Sequence, residues 1–471
     1  MNLMNKKVVV LGIGKSGIAA GRLCKSLGAQ VTLYDGKSRK EIQKEADALE
    51  QEGFHLIFQD FVYEEWKRQD LIVMSPGVPT DLPFLQEARK LHIPIWGEME
   101  LAYRCCHLPL IGITGTNGKT TTTTLVGEIF KKTMVPTYVV GNIGTPFSER
   151  VLGMAQEGYV IAEVSSFQLE TIHSFHPKVS AVLNITPDHL NRHKTFEHYI
   201  QAKEKIFMNQ NRGDFLILNG DDEYCISMGK KTKAKTIFFS MKKILDEGVY
   251  IKNNEIIIRW KDDEISLCSI KDLKMVGDHN VQNVMAATAI ALCMGVTISL
   301  IREVILSFQG VEHRIEYVST INNVLYYNDS KGTNPDAAIQ AIQSMERPIV
   351  LIGGGMDKGT DFTEWIRFFK GKVKHLILLG ETAKKIEDTA KQEGFSSITQ
   401  VMDMKEAVEL AYKIAHSGDC VLLSPACASW DMYSSYEERG KIFKQAVANL
   451  KEGEDEKAKK ESSSFSEYTP M

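Results

Sequence analysis

The stretch "LPLIGITGTNGKTTTT", residues 108–123, constrains the fold more than any other part of the chain. An apolar run meets Gly115, Gly118, Lys119 and Thr120 in the order G-x-x-G-K-T, and a threonine-rich helix start follows. A strand passing through a glycine loop into a helix is a phosphate-binding unit. Backbone N–H groups surround phosphate oxygens, a lysine neutralises the β/γ charge and a hydroxyl ligates magnesium. The longer pattern G-x-x-x-x-G-K-[ST] is not met, because Ile113 stands where its first glycine belongs and Gly112 lies one place too early. A loop of different closure is expected.

Apolar strands that run into polar turns recur along the chain. "KVVVLGIGKSG", "AQVTLYDG" and "DLIVMSPGVP" precede the loop; "YVIAEVSSFQLE" and "VSAVLNITPDHL" follow it. "VLYYNDSKGTNPDA", "PIVLIGGGMDKGTDF", "VKHLILLGETAKKI" and "DCVLLSPACASWD" come later. Strands alternating with helical stretches imply parallel sheets, whose ligands collect at the carboxyl ends of the strands. The expected class is α/β in three domains: a Rossmann-like domain at 1–97, a central P-loop ATPase-like parallel sheet at 98–310 and a Rossmann-like domain at 311–450. The central domain carries a β-rich excursion at 248–270. A chain of 471 residues holds two to four domains at about 100–200 residues each. The charged, serine-rich segment 451–471 lacks apolar periodicity and is expected to be disordered.

Composition excludes several classes. The 56 basic and 60 acidic residues nearly cancel, so no nucleic-acid partner is indicated. The uncharged stretch 281–301 contains Gln282 and Asn283 and is broken by Gly295. A buried helix is expected there rather than a membrane span. The N-terminal apolar run is too short for a signal peptide. The eight cysteines show no C-x-x-C spacing, which fits reduced thiols in the cytoplasm.

Individual residues leave alternatives open. Gly12–Gly17 spell G-x-G-x-x-G, with Asp35 near the place of a ribose-binding acid. The turn suits NAD, another phosphorylated ligand, or close strand–helix packing. Glu163 lies inside an apolar strand, where a carboxylate is costly unless paired or bound to a cation. His189 ends another strand; an exposed loop histidine is the ordinary reading, and ligation the reading favoured by the loop and Glu163. Lys203, four residues after Tyr199 on a helix, reads from spacing alone as a snorkelling lysine.

Together, "GTNGKT", "EVSSFQLE", "NITPDHLNRH", "GDHNVQN", "HRIE", "NDSKGTNPDA" and "SPACASWD" resemble the Mur ligases in order and spacing, over about 1–450. "GNIG", "VSSFQLE" and "SPACASWD", with the opening nucleotide-like domain, are similar to the branch that adds D-glutamate to UDP-N-acetylmuramoyl-L-alanine. The resemblance implies a cytoplasmic, ADP-forming amide ligase of peptidoglycan precursor synthesis that works through an acyl phosphate. It implies ATP and two magnesium ions, with Lys203 N6-carboxylated, and makes Lys119, Glu163, His189 and Lys203 catalytic. Thr120, Glu163, His189 and the modified Lys203 are the implied metal ligands. ATP is expected at Gly115, Thr116, Asn117, Gly118, Lys119, Thr120 and Thr121, with Asn280, Asn283, Arg314, Asp329 and Lys331. The UDP substrate is expected at Lys15, Ser16, Asp35, Ser75, Gly77 and Asn142, and D-glutamate at Thr333, Lys358, Ser429 and Tyr436. Trp430 and Tyr436 stand where some members carry leucine and phenylalanine. Small-molecule partners only, no membrane and a monomer are the remaining expectations.

Overall fold

The computed structural model describes residues 1–59, 67–261, 263–275, 277–357 and 359–465. The chain forms two compact units. One comprises residues 1–273 with 279–308, the other 274–278 with 309–471.

The first unit holds two sheets. β1 (Lys7–Leu11), β2 (Gln30–Asp35), β3 (His55–Phe58), β4 (Leu71–Met74) and β5 (Ile95–Gly97) form a parallel sheet in the order 3-2-1-4-5. The order reverses between β1 and β4, and such a switch point opens a crevice at the strand ends. β1 and β4 are almost continuously apolar and buried, as strands covered on both faces must be.

The second sheet has nine strands: β6 (Leu110–Thr114), β7 (Thr137–Gly141), β8 (Tyr159–Glu163), β9 (Val179–Val182), β10 (Phe215–Asn219), β11 (Lys235–Ser240), β12 (Gly248–Lys252), β13 (Glu255–Trp260) and β14 (Asp263–Ser269). Their order is 14-13-12-11-10-9-6-8-7. The sheet is parallel up to β12; β13 and β14 add antiparallel, so the β-rich excursion extends its edge. β6 lies between β8 and β9, which places the phosphate loop at the centre of the sheet.

Two buried glutamates join these sheets. The Glu100 carboxylate accepts the N–H groups of His173, Ser174 and Phe175 at 2.9–3.0 Å and the Arg104 guanidinium at 2.7 Å. Glu98 accepts from Ser148 N at 2.6 Å. Burial raises the Glu98 pKa against that hydrogen bond.

The uncharged stretch forms helix Asp278–Cys293, which ends just before Gly295 at φ +82°. Val284, Ala287, Ile290 and Ala291 are buried in it. No helix among the described residues is long and apolar enough to cross a membrane. All eight cysteines are free.

The second unit contains β15 (Glu316–Ile321), β16 (Val324–Asn328), β17 (Ile349–Gly353), β18 (Val373–Leu378), β19 (Ile398–Gln400) and β20 (Cys420–Leu423), in the order 15-16-20-17-18-19. Only β15 runs antiparallel to its neighbour. The last helix, Tyr436–Phe465, continues into the segment expected to be disordered. Its glutamate, lysine and alanine residues are good helix formers. Residues 466–471 lie outside the described residues.

Candidate active site at the phosphate loop

β6 delivers the loop and helix Lys119–Lys131 leaves it. Gly118 is left-handed at φ +81°, and a Cβ there would lie 2.2 Å from Asn283 Oδ1. Only glycine meets both demands. Gly112 stays in the strand, where a Cβ would press on Pro177. The loop is pinned from the end of β9. Thr116 N donates to Asn184 O (3.0 Å) and Asn117 N to Asn184 Oδ1 (2.8 Å), while Asn184 Nδ2 returns a bond to Asn117 O (3.1 Å). Asn184 is absent from the sequence-derived set. Its signal was its place at the end of an apolar strand in "NITPDH".

Two lysines converge on one carbonyl. Lys119 Nζ donates to Gly115 O at 2.9 Å and to Thr116 O at 2.8 Å. Lys203 Nζ reaches the same Gly115 O at 2.7 Å from helix Phe196–Glu204. Lys203 is 1% exposed, and Nζ lies 4.7 Å from the centre of the Tyr199 ring. Tyr199 shares a 3.0 Å hydrogen bond with Thr116 Oγ1. Burial, with the neighbouring Lys119 cation, holds the Lys203 amine well below its ordinary pKa. The snorkelling reading from spacing is thereby corrected: the amine points inward, because the Tyr199–Lys203 stripe faces the loop.

Glu163 ends β8 and is 1% exposed. Asn142 Nδ2 donates to its Oε1 at 2.7 Å, and Oε2 has no hydrogen-bond partner among the described residues. A buried carboxylate oxygen left unpaired is expensive, and a cation relieves that cost. The donor chemistry at this position fits magnesium, a hard cation that takes oxygen ligands. Thr120, 7% exposed, begins the helix beside the loop. His189 is half-exposed, at φ +53°, with its ring 4.8 Å from that of Phe167. Among the described residues no group of three His, Cys, Asp or Glu side chains is gathered as a ready metal cage. Asn283 donates to Asn280 Oδ1 (3.2 Å) and accepts from Thr122 (3.3 Å), which ties the helix bearing both asparagines to the loop helix.

At the first switch point, Asp35 accepts from Ile13 N (2.7 Å) and Lys37 N (2.9 Å). Ser75 Oγ donates to Gly12 O at 3.0 Å. A Cβ on Gly17 would fall 1.8 Å from Gly12 O, so that glycine serves close helix–strand packing. Lys15 and Ser16 open helix Lys15–Ser26, and Gly77 has open space where a Cβ would stand. Asn142, assigned to the UDP substrate by resemblance, is engaged here with Glu163.

The second unit has its own cluster. Asp329 is 4% exposed; its carboxyl accepts from Ser424 Oγ (2.7 Å) and Ile315 N (3.3 Å). Burial raises its pKa to about 7 against those bonds and the Arg314 charge. Lys331 Nζ lies 5.8 Å from the Tyr436 ring centre, and Thr333 N donates to Lys331 O. Ser429 is 2% exposed, Trp430 63%. Arg439, also missing from the sequence-derived set, is 2% exposed; it donates to Ser330 Oγ and O, Cys427 O and Ala428 O. It thereby joins the "DSKGT" and "SPACAS" turns. Nothing in "EERG" distinguishes a buried arginine from a solvated one. Lys358 lies outside the described residues.

Asp329 yields a pH prediction. Its folded-state pKa exceeds the ordinary 3.8, so the folded protein binds the proton more tightly. The associated stability is fully present below about pH 4 and is lost as pH rises towards 7, by about 4 kcal/mol at most. Asp329→Asn removes this loss. In denaturant melts from pH 4 to 8, the variant gains steadily on the parent up to pH 7 and holds that lead above it.

Comparison with known proteins gives three family matches. Residues 6–97 match a Mur ligase MurD-like, N-terminal domain; 113–291 match the Mur ligase middle domain; 313–427 match the Mur ligase, glutamate ligase domain. The chain is 50% identical over 452 residues to a UDP-N-acetylmuramoylalanine--D-glutamate ligase of Clostridioides difficile, covering 96% of this chain and all of the relative. It is 48% identical to the like-named protein of Alkaliphilus metalliredigens, again over 96% of this chain and all of the relative. The solved UDP-N-acetylmuramate-alanine ligase of Thermotoga maritima shares the fold, with a TM-score of 0.58 at 20% identity, over 95% of this chain and 100% of that one.

Proposed function

The chain belongs to the Mur ligase family of ATP-dependent ligases in peptidoglycan precursor synthesis, and from that premise we propose that it joins D-glutamate to UDP-N-acetylmuramoyl-L-alanine. The observation that carries this furthest is the convergence at Gly115: two lysine amines on one carbonyl, in the loop that follows β6 between the ends of β8 and β9.

In the proposed reaction, an oxygen of the alanyl carboxylate attacks the γ-phosphorus of ATP, and the bond to the β-phosphate oxygen breaks to release ADP. The amine of D-glutamate attacks the resulting acyl phosphate carbonyl and loses a proton. The tetrahedral adduct expels inorganic phosphate and leaves the amide. Lys119, beside the loop amides, meets the charge that builds on the transferring phosphoryl group. Magnesium, when bound, supplies further positive charge at the phosphoryl oxygens. Thr120 and Glu163 would hold one ion. His189 and the carboxylated Lys203 would hold the second.

Lys203 suits carboxylation because burial lowers the pKa of its amine and so favours the neutral form that adds to carbon dioxide. The nucleotide contacts extend in this proposal to Asn280, Asn283, Arg314, Asp329 and Lys331. The uridine diphosphate moiety takes the turns at Lys15, Ser16, Asp35, Ser75 and Gly77, with Asn142. Thr333, Ser429, Tyr436 and Lys358 receive D-glutamate. The cytoplasm is the proposed compartment and a monomer the proposed state.

The test is ADP release with each substrate withheld in turn and, in a separate reaction without D-glutamate, hydroxylamine added to capture the acyl phosphate. Sustained ADP release requires both the UDP-sugar–alanine and D-glutamate. A hydroxamate forms with ATP and the sugar nucleotide alone. ADP release indifferent to D-glutamate but responsive to another amino acid would overturn the substrate assignment.

A further inference from the structure

The first unit contains a cavity of about 970 Å³ that none of the residues assigned above to ATP, the UDP substrate or D-glutamate lines. It lies beside the outer strand of the five-stranded sheet, between residues 79–95 and residues 170–205. Arg89, Arg192, Lys194 and Lys205 bring four cations to its wall, against the carboxylates of Asp81 and Glu170. Four histidines, two threonines and Gln201 complete the polar lining. One of the carboxylates is already used: Arg192 Nη2 lies 2.6 Å from Glu170 Oε2. The cavity is therefore net cationic, and its volume suits a ligand of nucleotide size.

We propose that this cavity is a second anion site, which takes a pyrophosphate-bearing ligand and acts on the loop through helix Phe196–Glu204. The helix is shared between the two places. His198, Gln201 and Ala202, with Lys205 just past its end, lie at i, i+3, i+4 and i+7 along the cavity. Tyr199 and Lys203 occupy the adjacent stripe and contact Thr116 and Gly115. Lys205 Nζ is held on Glu170 O at 2.8 Å at the cavity wall.

The entry to the helix is shared in the same way. The short helix Leu190–His193 is bracketed by His189 at φ +53° and Lys194 at φ +69°. Neither is glycine, so this turn stores backbone strain. His193, just before Lys194, donates to or accepts from Ser166 Oγ at 3.0 Å. Arg192 Nη2 also donates to Val78 O at 2.8 Å, next to Gly77. Occupancy at Arg192 and Lys194 thus bears on His189, on Lys203 and on the Ser75–Gly77 turn through covalent neighbours.

The test is calorimetric titration of inorganic pyrophosphate into the full chain, into Lys119→Ala, and into Lys119→Ala carrying Arg89→Gln and Lys194→Gln. Lys119→Ala is expected to retain a pyrophosphate site, and the two added substitutions to weaken it at least tenfold. Arg89→Gln alone gives an intermediate loss. In the Lys119-intact background the Arg89→Gln/Lys194→Gln protein keeps the parent ligase rate but loses the response of that rate to added pyrophosphate. Absence of any pyrophosphate binding in Lys119→Ala, or unchanged binding after the cavity substitutions, overturns the proposal. Retained ligase rate separates that failure from failure of the proposed reaction.

Discussion

Lys203→Ala lowers the ligase rate by about a thousandfold or more, the scale of losing a group pre-aimed at developing charge. The expectation follows from its place: an amine 1% exposed, its pKa lowered by burial, against Gly115 O and beside Lys119. Carboxylation, as proposed, would replace that amine with a carbamate anion beside the Lys119 cation. Bicarbonate or a short carboxylic acid is therefore expected to restore part of the variant's rate by filling the vacated space with a carboxylate. Parent protein treated with ¹³C-bicarbonate shows a carbamate carbon resonance that Lys203→Ala lacks. If no such resonance appears and no acid restores the rate, the lysine acts as a plain amine and the carbamate is rejected.

Glu163→Gln separates activity from stability. Glutamine keeps the shape, and its amide oxygen still accepts from Asn142. What is lost is the carboxylate at a buried position whose Oε2 has no hydrogen-bond partner among the described residues. Removing an unpaired buried charge relieves desolvation, so the melting temperature in metal-free buffer stays level or rises. The rate falls by about a hundred- to a thousandfold, and more magnesium is needed for half-maximal rate. A variant that melts earlier and keeps its magnesium dependence would make Glu163 a structural residue.

Legibility differed with the range of the interaction. Gly115, Gly118 and Lys119 were readable because the loop is local: strand, glycine turn and helix follow one another within 22 residues. The excursion at 248–270 was readable as strands for the same reason, although its antiparallel edge pairing was not. Spacing placed Lys203 on a partly apolar face and suggested a solvated amine. Its partner Gly115 is 88 residues away, and no periodicity reports that. Asn184 and Arg439 were missed because their importance lies in backbone atoms of distant turns. The helix past residue 450 went unseen because helix propensity, not an amphipathic stripe, supports it.

The α/β class, the strand ends at which the polar turns gather and the phosphate loop are all written locally, since each depends on residues adjacent along the chain. Tertiary structure decided which of those turns meet. It brought Lys203 under the loop, left one Glu163 oxygen unpaired and spent the Asp35 carboxylate on backbone amides. The physical reason is that burial sets both the protonation and the pairing of an ionisable side chain, and burial exists only once sheets and helices have packed.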